Sequence, residues 1–193
     1  MYHVEHSGGK LRKPARLDRN ELVDRCLKAF VAAGTLDLSL DQLARKVRST
    51  KRMLVHYFGT REMLEEAAMT RLEERLRVRF SAPAFTQRAT PKMMVTLLWN
   101  QATSVDSKGL LMLLMDLSRR AWNGSERAKA FYLEQRKLWI DLLLNFFSDR
   151  ERVEDLLQLF QGALLVFLVT GDRQAGKKAL LRMASSSARK GRT

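Results

Sequence analysis

The sequence contains one cysteine, three prolines and three histidines among 193 residues. A single cysteine excludes a disulfide within the chain and a metal site built from cysteines. Cys26 stands among apolar residues, so we expect it to be a small buried side chain. The first ten residues lack the apolar core of a signal peptide. The longest apolar run, residues 162–169, is far shorter than the roughly 20 residues that cross a bilayer. We therefore expect a cytoplasmic protein that has no membrane partner.

Catalytic motifs are also missing from the sequence. It has no glycine-rich phosphate loop, nucleophile elbow or cluster of metal ligands at a suitable spacing. His3 and His6 lie near the start of the chain and His56 lies in a basic segment. The acidic pairs at 65–66 and 73–74 are typical of a solvated helix face. We predict that the protein is not an enzyme and needs no cofactor or metal.

Acidic residues are scarce relative to basic ones. The chain has 35 lysines and arginines against 21 acidic residues, a net charge of +14. The excess is concentrated in residues 1–62 and 171–193, while the middle is nearly balanced. Such a balance favours a polyanionic partner, with nucleic acid first and an anionic membrane surface second. A soluble protein that merely tolerates positive charge is the alternative at this point.

Strand-like alternation is absent and helical spacing recurs throughout, which predicts an all-α protein of about nine helices. Residues 18–33 have the rhythm of one buried helix face, and Gly34 is expected to end that helix. Further helix starts are predicted at Ser39 (a capping box with Gln42), Thr50, Thr60, Thr90 and Ser148 (a capping box with Glu151).

Two short predicted helices, at 39–47 and 50–58, are joined by a tight turn at Arg48 and Ser49. A longer helix precedes them, which is the helix-turn-helix plan for reading DNA. At about 100° per residue, Leu54 faces inward and both Arg52 and His56 face outward. An outward arginine can bind a guanine edge with two hydrogen bonds. The alternative is the basic outer face of an ordinary surface helix.

The segment from Ala44 to Leu64 resembles the signature of the TetR family of bacterial transcriptional regulators. The residues that carry the resemblance, which spans about residues 15–65, are Leu43, Ala44, Leu54, Tyr57, Phe58, Thr60, Arg61, Glu62 and Leu64. The resemblance implies an all-α homodimer whose first three helices bind double-stranded DNA. It further implies a small-molecule effector in the helical body, a dimer interface built by the last two helices, and in most members a repressor.

Eight DNA-binding residues follow when the resemblance is carried over position by position, and Arg48 and Thr50 complete a predicted set of ten. They are Ser39, Arg48, Thr50, Lys51, Arg52, Met53, Val55, His56, Tyr57 and Arg61. Arg48 departs from the family, which usually has glycine in the turn. The turn is then either strained or rearranged so that Arg48 touches the DNA backbone. Val55 replaces the usual tyrosine and offers an apolar surface to a thymine methyl group.

Methionine and tryptophan side chains recur in the body and, as a set, can line an adaptable apolar pocket. The predicted pocket residues are Met94, Trp99, Met112, Met115, Asp116, Trp122, Phe131 and Trp139. For any single one of these residues, a place in the hydrophobic core is the more common outcome. A ligand for such a pocket would be apolar or amphipathic, and Asp116 would allow it to be cationic.

The last two predicted helices, near 152–170 and 173–187, are the candidates for a dimer interface. Their apolar stripe comprises Leu156, Leu159, Phe160, Ala163, Leu164 and Phe167. The alternative is that this stripe packs within one chain.

The expected organisation is therefore a flexible basic arm (1–17), a helix-turn-helix domain (18–62), a ligand-binding and dimerisation body (63–187) and a frayed tail (188–193). The expected function is that of a ligand-responsive transcriptional repressor, which binds palindromic operator DNA as a homodimer and is released by an apolar or amphipathic small molecule. The alternative function is a basic helical adaptor or a peripheral membrane-binding protein.

Overall fold

The computed structural model describes residues 18–81 and 90–185, and within those ranges it contains helices and no strand. The all-α prediction is therefore confirmed. The elements are α1 (Arg19–Ala33), α2 (Leu40–Lys46), α3 (Lys51–Phe58), α4 (Arg61–Ser81), α5 (Pro91–Ala102), a 3₁₀ turn (Val105–Ser107), α6 (Lys108–Trp122), α7 (Glu126–Leu143), α8 (Arg150–Thr170) and α9 (Arg173–Ser185). The expected basic arm and frayed tail lie outside the described residues.

Side-chain caps begin the helices largely where the sequence predicts them. Ser39 Oγ accepts a hydrogen bond from the Gln42 N–H at 3.2 Å, and Gln42 Oε1 accepts one from the Ser39 N–H at 2.8 Å. This capping box begins α2. Thr50 caps α3 and Thr90 caps α5 through the threonine hydroxyl alone, which accepts a hydrogen bond from the N–H of Met53 and of Met93 respectively. These caps satisfy backbone donors that a helix leaves unpaired at its start.

The prediction of a capping box at Ser148 is wrong, because α8 begins one residue later. Asp149 is its N-cap, and the Asp149 carboxylate accepts hydrogen bonds from the backbone N–H groups of Glu151 and Arg152. A carboxylate is favoured over a hydroxyl here because it also compensates the positive end of the helix dipole.

A first hydrophobic cluster joins the three N-terminal helices, called the head, to α4, α6 and α7 of the body (α4–α9). It includes Cys26, Leu54 and Phe58 from the head and Leu113 and Phe131 from the body. Cys26 is buried as predicted, and that burial raises the pKa of its thiol to about 12. The head is therefore packed onto the body through apolar contacts as well as through the covalent connection at α4.

Helices α1 and α6 join head and body through a close approach of their backbones. A Cβ atom placed on Gly109 would lie 2.3 Å from the carbonyl oxygen of Val31. Only a glycine allows these two backbones to come so close. The start of α6 is thus held directly against the end of α1.

Five charged residues, which we call the head–body network, connect the α1–α2 loop to α4 and α6. They are Asp37, Glu65, Asp116, Arg119 and Arg120. The Asp37 carboxylate accepts hydrogen bonds from the guanidinium groups of Arg119 at 2.9 Å and Arg120 at 2.6 Å. The Arg120 guanidinium also donates to the Glu65 carboxylate at 3.0 Å. Charges shared among several partners in one network hold their geometry better than isolated surface pairs do.

Asp116 is the carboxylate of this network that reaches the backbone of the head. Its Oδ2 accepts hydrogen bonds from the hydroxyl of Thr35 at 2.9 Å and the N–H of Leu36 at 3.1 Å. Burial acts to raise the pKa of Asp116, but hydrogen bonds from Arg119, Leu36 and Thr35 outweigh it, so the pKa is lowered. The carboxylate is therefore held in its charged form.

A second hydrophobic cluster fills the body between α5, α6, α7, α8 and α9. Trp99, Ile140, Leu156 and Leu180 are among its buried members. Trp99 donates its indole N–H to the carbonyl oxygen of Arg173 at 3.0 Å, which ties α5 to the start of α9. Helices α6 and α7 contribute to both clusters, so they connect the head to the far end of the body.

Candidate nucleic-acid interface and ligand cavity

Helix α3 separates its side chains in the way that the sequence predicts. Leu54 and Phe58 are buried, while Lys51, Arg52 and His56 are exposed. The guanidinium of Arg19 lies over the Phe58 ring, 5.2 Å from its centroid, and fixes the inner side of α3 against α1. The apolar side of α3 thus positions a cationic outer side.

The outer side of α3 carries cations that the rest of the described chain engages little. Among the described residues, Arg52 has no ion-pair or hydrogen-bond partner. Lys51 Nζ lies 3.4 Å from Asp41 Oδ2, in a pair whose two side chains are more than half exposed. Such a pair is weak in water and opens readily. Met53 and Val55 are exposed beside these cations. This face can bind phosphates and base edges of a duplex.

The turn before α3 is strained at Arg48. Its φ is 55°, and among the described residues it is the only one besides glycine with a positive φ. The Arg48 N–H donates to the Arg45 carbonyl oxygen at 3.3 Å and the Ser49 N–H to that of Ala44 at 2.9 Å. These two bonds form a Schellman motif, which usually has glycine where Arg48 stands. Of the two alternatives that the sequence leaves open, the left-handed conformation is the one observed.

The remaining predicted DNA-binding residues differ in how far the protein itself already engages their side chains. The hydroxyls of Ser39 and Thr50 serve as caps, and Tyr57 is half-buried with its ring edge-on to His56 at 5.2 Å. Arg61 differs most from its prediction as a phosphate contact. Its guanidinium donates to the Leu36 carbonyl oxygen at 3.0 Å and to Glu65 at 2.8 Å. Arg61 is therefore held as a link between head and body.

Two exposed cations at the end of α2 were not among the predicted residues. Arg45 and Lys46 occupy the last turn of that helix, and only Val47 separates them from the strained Arg48. Two consecutive cations next to the turn of a helix-turn-helix were the signal available in the sequence. With Lys51 and Arg52 they extend the positive surface across the turn.

The body contains a cavity of about 590 Å³ between the 3₁₀ turn and helices α4 to α8. Most of its lining side chains are apolar, and its size falls in the range of small-molecule sites. Three of the predicted pocket residues, Met115, Phe131 and Trp139, line it. The polar or charged side chains among its lining residues are Gln101, Ser107, Ser118, Tyr132, Gln135, Arg136, Gln158 and Gln161.

The other five predicted pocket residues lie elsewhere. Met94 and Trp99 belong to the second hydrophobic cluster, and Met112 packs against Gly34 with its side chain partly exposed. Trp122 is 90% exposed at the end of α6. Asp116 is part of the head–body network. These placements correct the prediction, because helical spacing alone did not reveal which neighbour each side chain faces.

The predicted dimer stripe also faces inward. Leu156, Phe160 and Leu164 line the cavity. The other three, Leu159, Ala163 and Phe167, pack against the second cluster. The alternative of packing within one chain is therefore what the structure has. A different apolar stripe of α8 is exposed: Leu165 by 54%, Val166 by 51% and Val169 by 78%, beside Gly162. We call these four residues the outer α8 stripe.

Helix α8 is also long and apolar enough to cross a membrane by length and composition, with 22% of that stretch buried. This corrects the expectation drawn from the short run at 162–169. The same criterion is met by core helices of soluble proteins, and α8 contributes Val153, Leu156 and Leu157 to the second cluster.

Within residues 18–81 and 90–185, no group of three or more histidine, cysteine or acidic side chains is arranged to hold a metal ion. No protein-family model matches the sequence, and no curated protein matches it. The fold is similar to the crystal structure of a TetR-like transcriptional regulator from Rhodococcus sp. RHA1, with a TM-score of 0.61 at 20% sequence identity. The similarity covers 91% of this chain and 98% of that one, so the two chains share the same all-helical fold.

Proposed function

We propose that this protein is a ligand-responsive transcriptional regulator that binds operator DNA as a homodimer. The observation that carries the proposal is the outer side of α3, where Lys51, Arg52 and His56 are exposed on a helix anchored by Leu54 and Phe58. A short helix held in this way fits the major groove of B-form DNA. The similarity of fold to a TetR-like transcriptional regulator supports the same function.

The DNA-binding side chains divide into two roles. Arg52 is placed to read a base, because its guanidinium is exposed at the centre of the outer side of α3. Lys51 and the cations around the turn, which are Arg45, Lys46 and Arg48, contact phosphates. Phosphate contacts contribute affinity that falls with salt, whereas base contacts contribute sequence preference.

Ligand response requires a physical link between the cavity and the head, and α6 supplies one. Leu114, Met115 and Ser118 of α6 line the cavity. Asp116 and Arg120, on the same helix, hold the α1–α2 loop. A ligand that shifts or rotates α6 therefore acts on the network that orients the head. By its differential affinity for the two arrangements, such a ligand releases the protein from DNA. We infer a repressor because that is the mode which the family resemblance implies for most members.

The outer α8 stripe is covered by the same stripe of a second copy in our proposal. Helices that present apolar faces to one another across a two-fold axis form four-helix bundles. The competing occupant of this face is a lipid bilayer, with the protein acting as a peripheral membrane protein or a basic adaptor. Charged residues fill the first turns of α8, including Arg150, Glu151 and Asp155, which favours the dimer.

Selection of bound duplexes from a random pool tests the proposal most directly. We expect an enriched palindrome whose half-sites are about one helical turn, ~34 Å, apart, because two copies of α3 must enter consecutive major grooves. An enriched pool without a motif, together with co-flotation of the protein with anionic vesicles, would support the membrane alternative instead. Binding of DNA by a monomer without sequence preference would contradict the proposal.

A further inference from the structure

One polar side chain in the wall of the cavity lacks a partner. Gln135 of α7 is 8% exposed and stands four residues after Phe131 and four before Trp139, both of which also line the cavity. Its Nε2 donor has no hydrogen-bond partner among the described residues. A buried amide donor left unpaired is costly, so such groups are found where something else supplies the acceptor.

The charge carried by the residues that line the cavity is positive only. No aspartate or glutamate is among its described lining residues, and Arg136 is the one charged side chain there. Arg136 lies 3.4 Å from Glu154, which is itself paired with Arg150 at 3.2 Å. Asp116, the carboxylate that the sequence suggested for a cationic ligand, is occupied by Arg119 and Arg120 on the head side of α6. An ammonium group would find no counter-ion in this cavity.

We propose that the cavity takes an apolar molecule that carries a hydrogen-bond-accepting carbonyl or carboxylate oxygen and no positive charge. The side-chain amide of Gln135 donates to that oxygen, and the apolar side chains of α6, α7 and α8 surround the rest. A negative charge on the ligand is tolerated because Arg136 lies one residue further along α7. This inference rests on the ligand site of the proposed function and adds the chemical class of the ligand.

Three probes of equal chain length separate the possibilities: decanoate, methyl decanoate and decylamine. Binding to the full chain is measured by titration calorimetry without DNA and below the micellar range. We expect decanoate and methyl decanoate to bind, and decylamine to bind at least tenfold more weakly. Equal binding of decylamine and decanoate would overturn the proposal, and so would the absence of binding by both oxygen-bearing probes.

Substitutions of Gln135 locate the contact. Gln135→Leu keeps the size but removes the donor, so we expect affinity for both oxygen-bearing probes to fall about tenfold, the effect of one lost hydrogen bond. Gln135→Glu should reverse the order and favour decylamine, because it adds the missing carboxylate. Unchanged decanoate binding by Gln135→Leu would overturn the role of this residue. The wild-type series tests the ligand class even if a variant fails to fold.

Arg136→Met distinguishes the two kinds of oxygen. It should weaken decanoate and leave methyl decanoate unchanged if the acid is bound as a carboxylate beside the guanidinium. Unchanged binding of both probes would instead assign the binding to Gln135 alone, which still supports a neutral carbonyl ligand, whereas equal weakening of both would contradict a carboxylate-specific role for Arg136. Because every titration omits DNA, failure here leaves the DNA-selection result standing, and failure of the DNA selection leaves the ligand class standing.

Discussion

Replacing Arg48 by glycine should make the protein more stable and at the same time weaken its binding to DNA. Arg48 has a φ of 55°, and a left-handed conformation costs a residue with a Cβ roughly 1–2 kcal/mol. Glycine removes that cost in the folded state. It also raises the conformational entropy of the unfolded chain, which offsets part of the stabilisation. We therefore expect a net stabilisation of about 1 kcal/mol, or roughly 2–4 °C in Tm for a chain of this size.

The chain contains its own reference for this substitution at the end of α1. Gly34 has a φ of 68°, its N–H donates to the Val31 carbonyl oxygen, and the Thr35 N–H donates to that of Phe30. This is the same motif that ends α2, with the usual residue in place. Gly34→Ala should lower the Tm, and by more than strain alone requires, because the new Cβ would lie 2.7 Å from Met112 Cβ.

Arg48→Ala separates the backbone effect from the charge effect. It keeps a Cβ in the left-handed conformation and removes the guanidinium, so its Tm should remain near that of the wild type. Both Arg48 variants should lose the same phosphate contact, which lowers the salt slope of DNA affinity by about one. Thermal unfolding by circular dichroism and fluorescence anisotropy over a salt series measure the two effects separately.

Two results would refute the reasoning about Arg48. If Arg48→Gly were no more stable than Arg48→Ala, the positive φ would not be the source of strain. If both variants bound DNA with an unchanged salt slope, the arginine would have no role at the backbone of the duplex. The family resemblance does not decide whether Arg48 strains the turn or contacts the DNA backbone. Measuring Tm and salt slope on both variants tests each role separately.

Three further predictions concern the recognition helix, the head–body network and the contact of α1 with α6. Arg52→Ala should relax base preference at one position of each half-site at a cost of about 1–3 kcal/mol, whereas Lys51→Ala should weaken all sequences alike, as duplex competition measures. The lowered pKa of Asp116 means that its stabilising effect is present above the unfolded value, about 4, and is lost as pH falls through the folded value. Asp116→Asn should accordingly flatten the acid limb of a plot of Tm against pH. Gly109→Ala should cost about 1–3 kcal/mol of stability in chemical denaturation, because its Cβ would meet the Val31 carbonyl oxygen at 2.3 Å.

Local features of the chain were predictable because local chemistry determines them. The capping box at Ser39 follows from two side chains three residues apart, and the inward side of α3 follows from the period of a helix. Leu54 and Phe58 are buried as that period requires. The start of α8 was misplaced by one residue because Ser148 and Asp149 are both good caps, and the choice between them depends on where the preceding chain runs.

The cavity was less predictable because its wall is assembled from helices that are far apart in sequence. The three tryptophans illustrate this difficulty. Trp99 is core, Trp122 is 90% exposed and Trp139 lines the cavity, although all three lie on helices of the body. Gln135 carried a clearer signal, since it interrupts an apolar face between Phe131 and Trp139. A polar residue within such a face indicates a satisfied contact, a functional one or both.

Helix α8 shows why a correct helix was assigned the wrong contact face. It is apolar on two sides: Leu156 and Leu164 face the cavity, while the outer α8 stripe is exposed. A helix that is apolar around most of its circumference is normally buried around most of it. The body covers only one side, so the exposed side requires a second cover, which we propose is another copy of the chain. Because Gly162 and Leu165 belong to both the cavity wall and the outer stripe, a ligand that displaces α8 would also alter that contact. In the proposed dimer, sensitivity to ligand would thus follow from where this one helix lies.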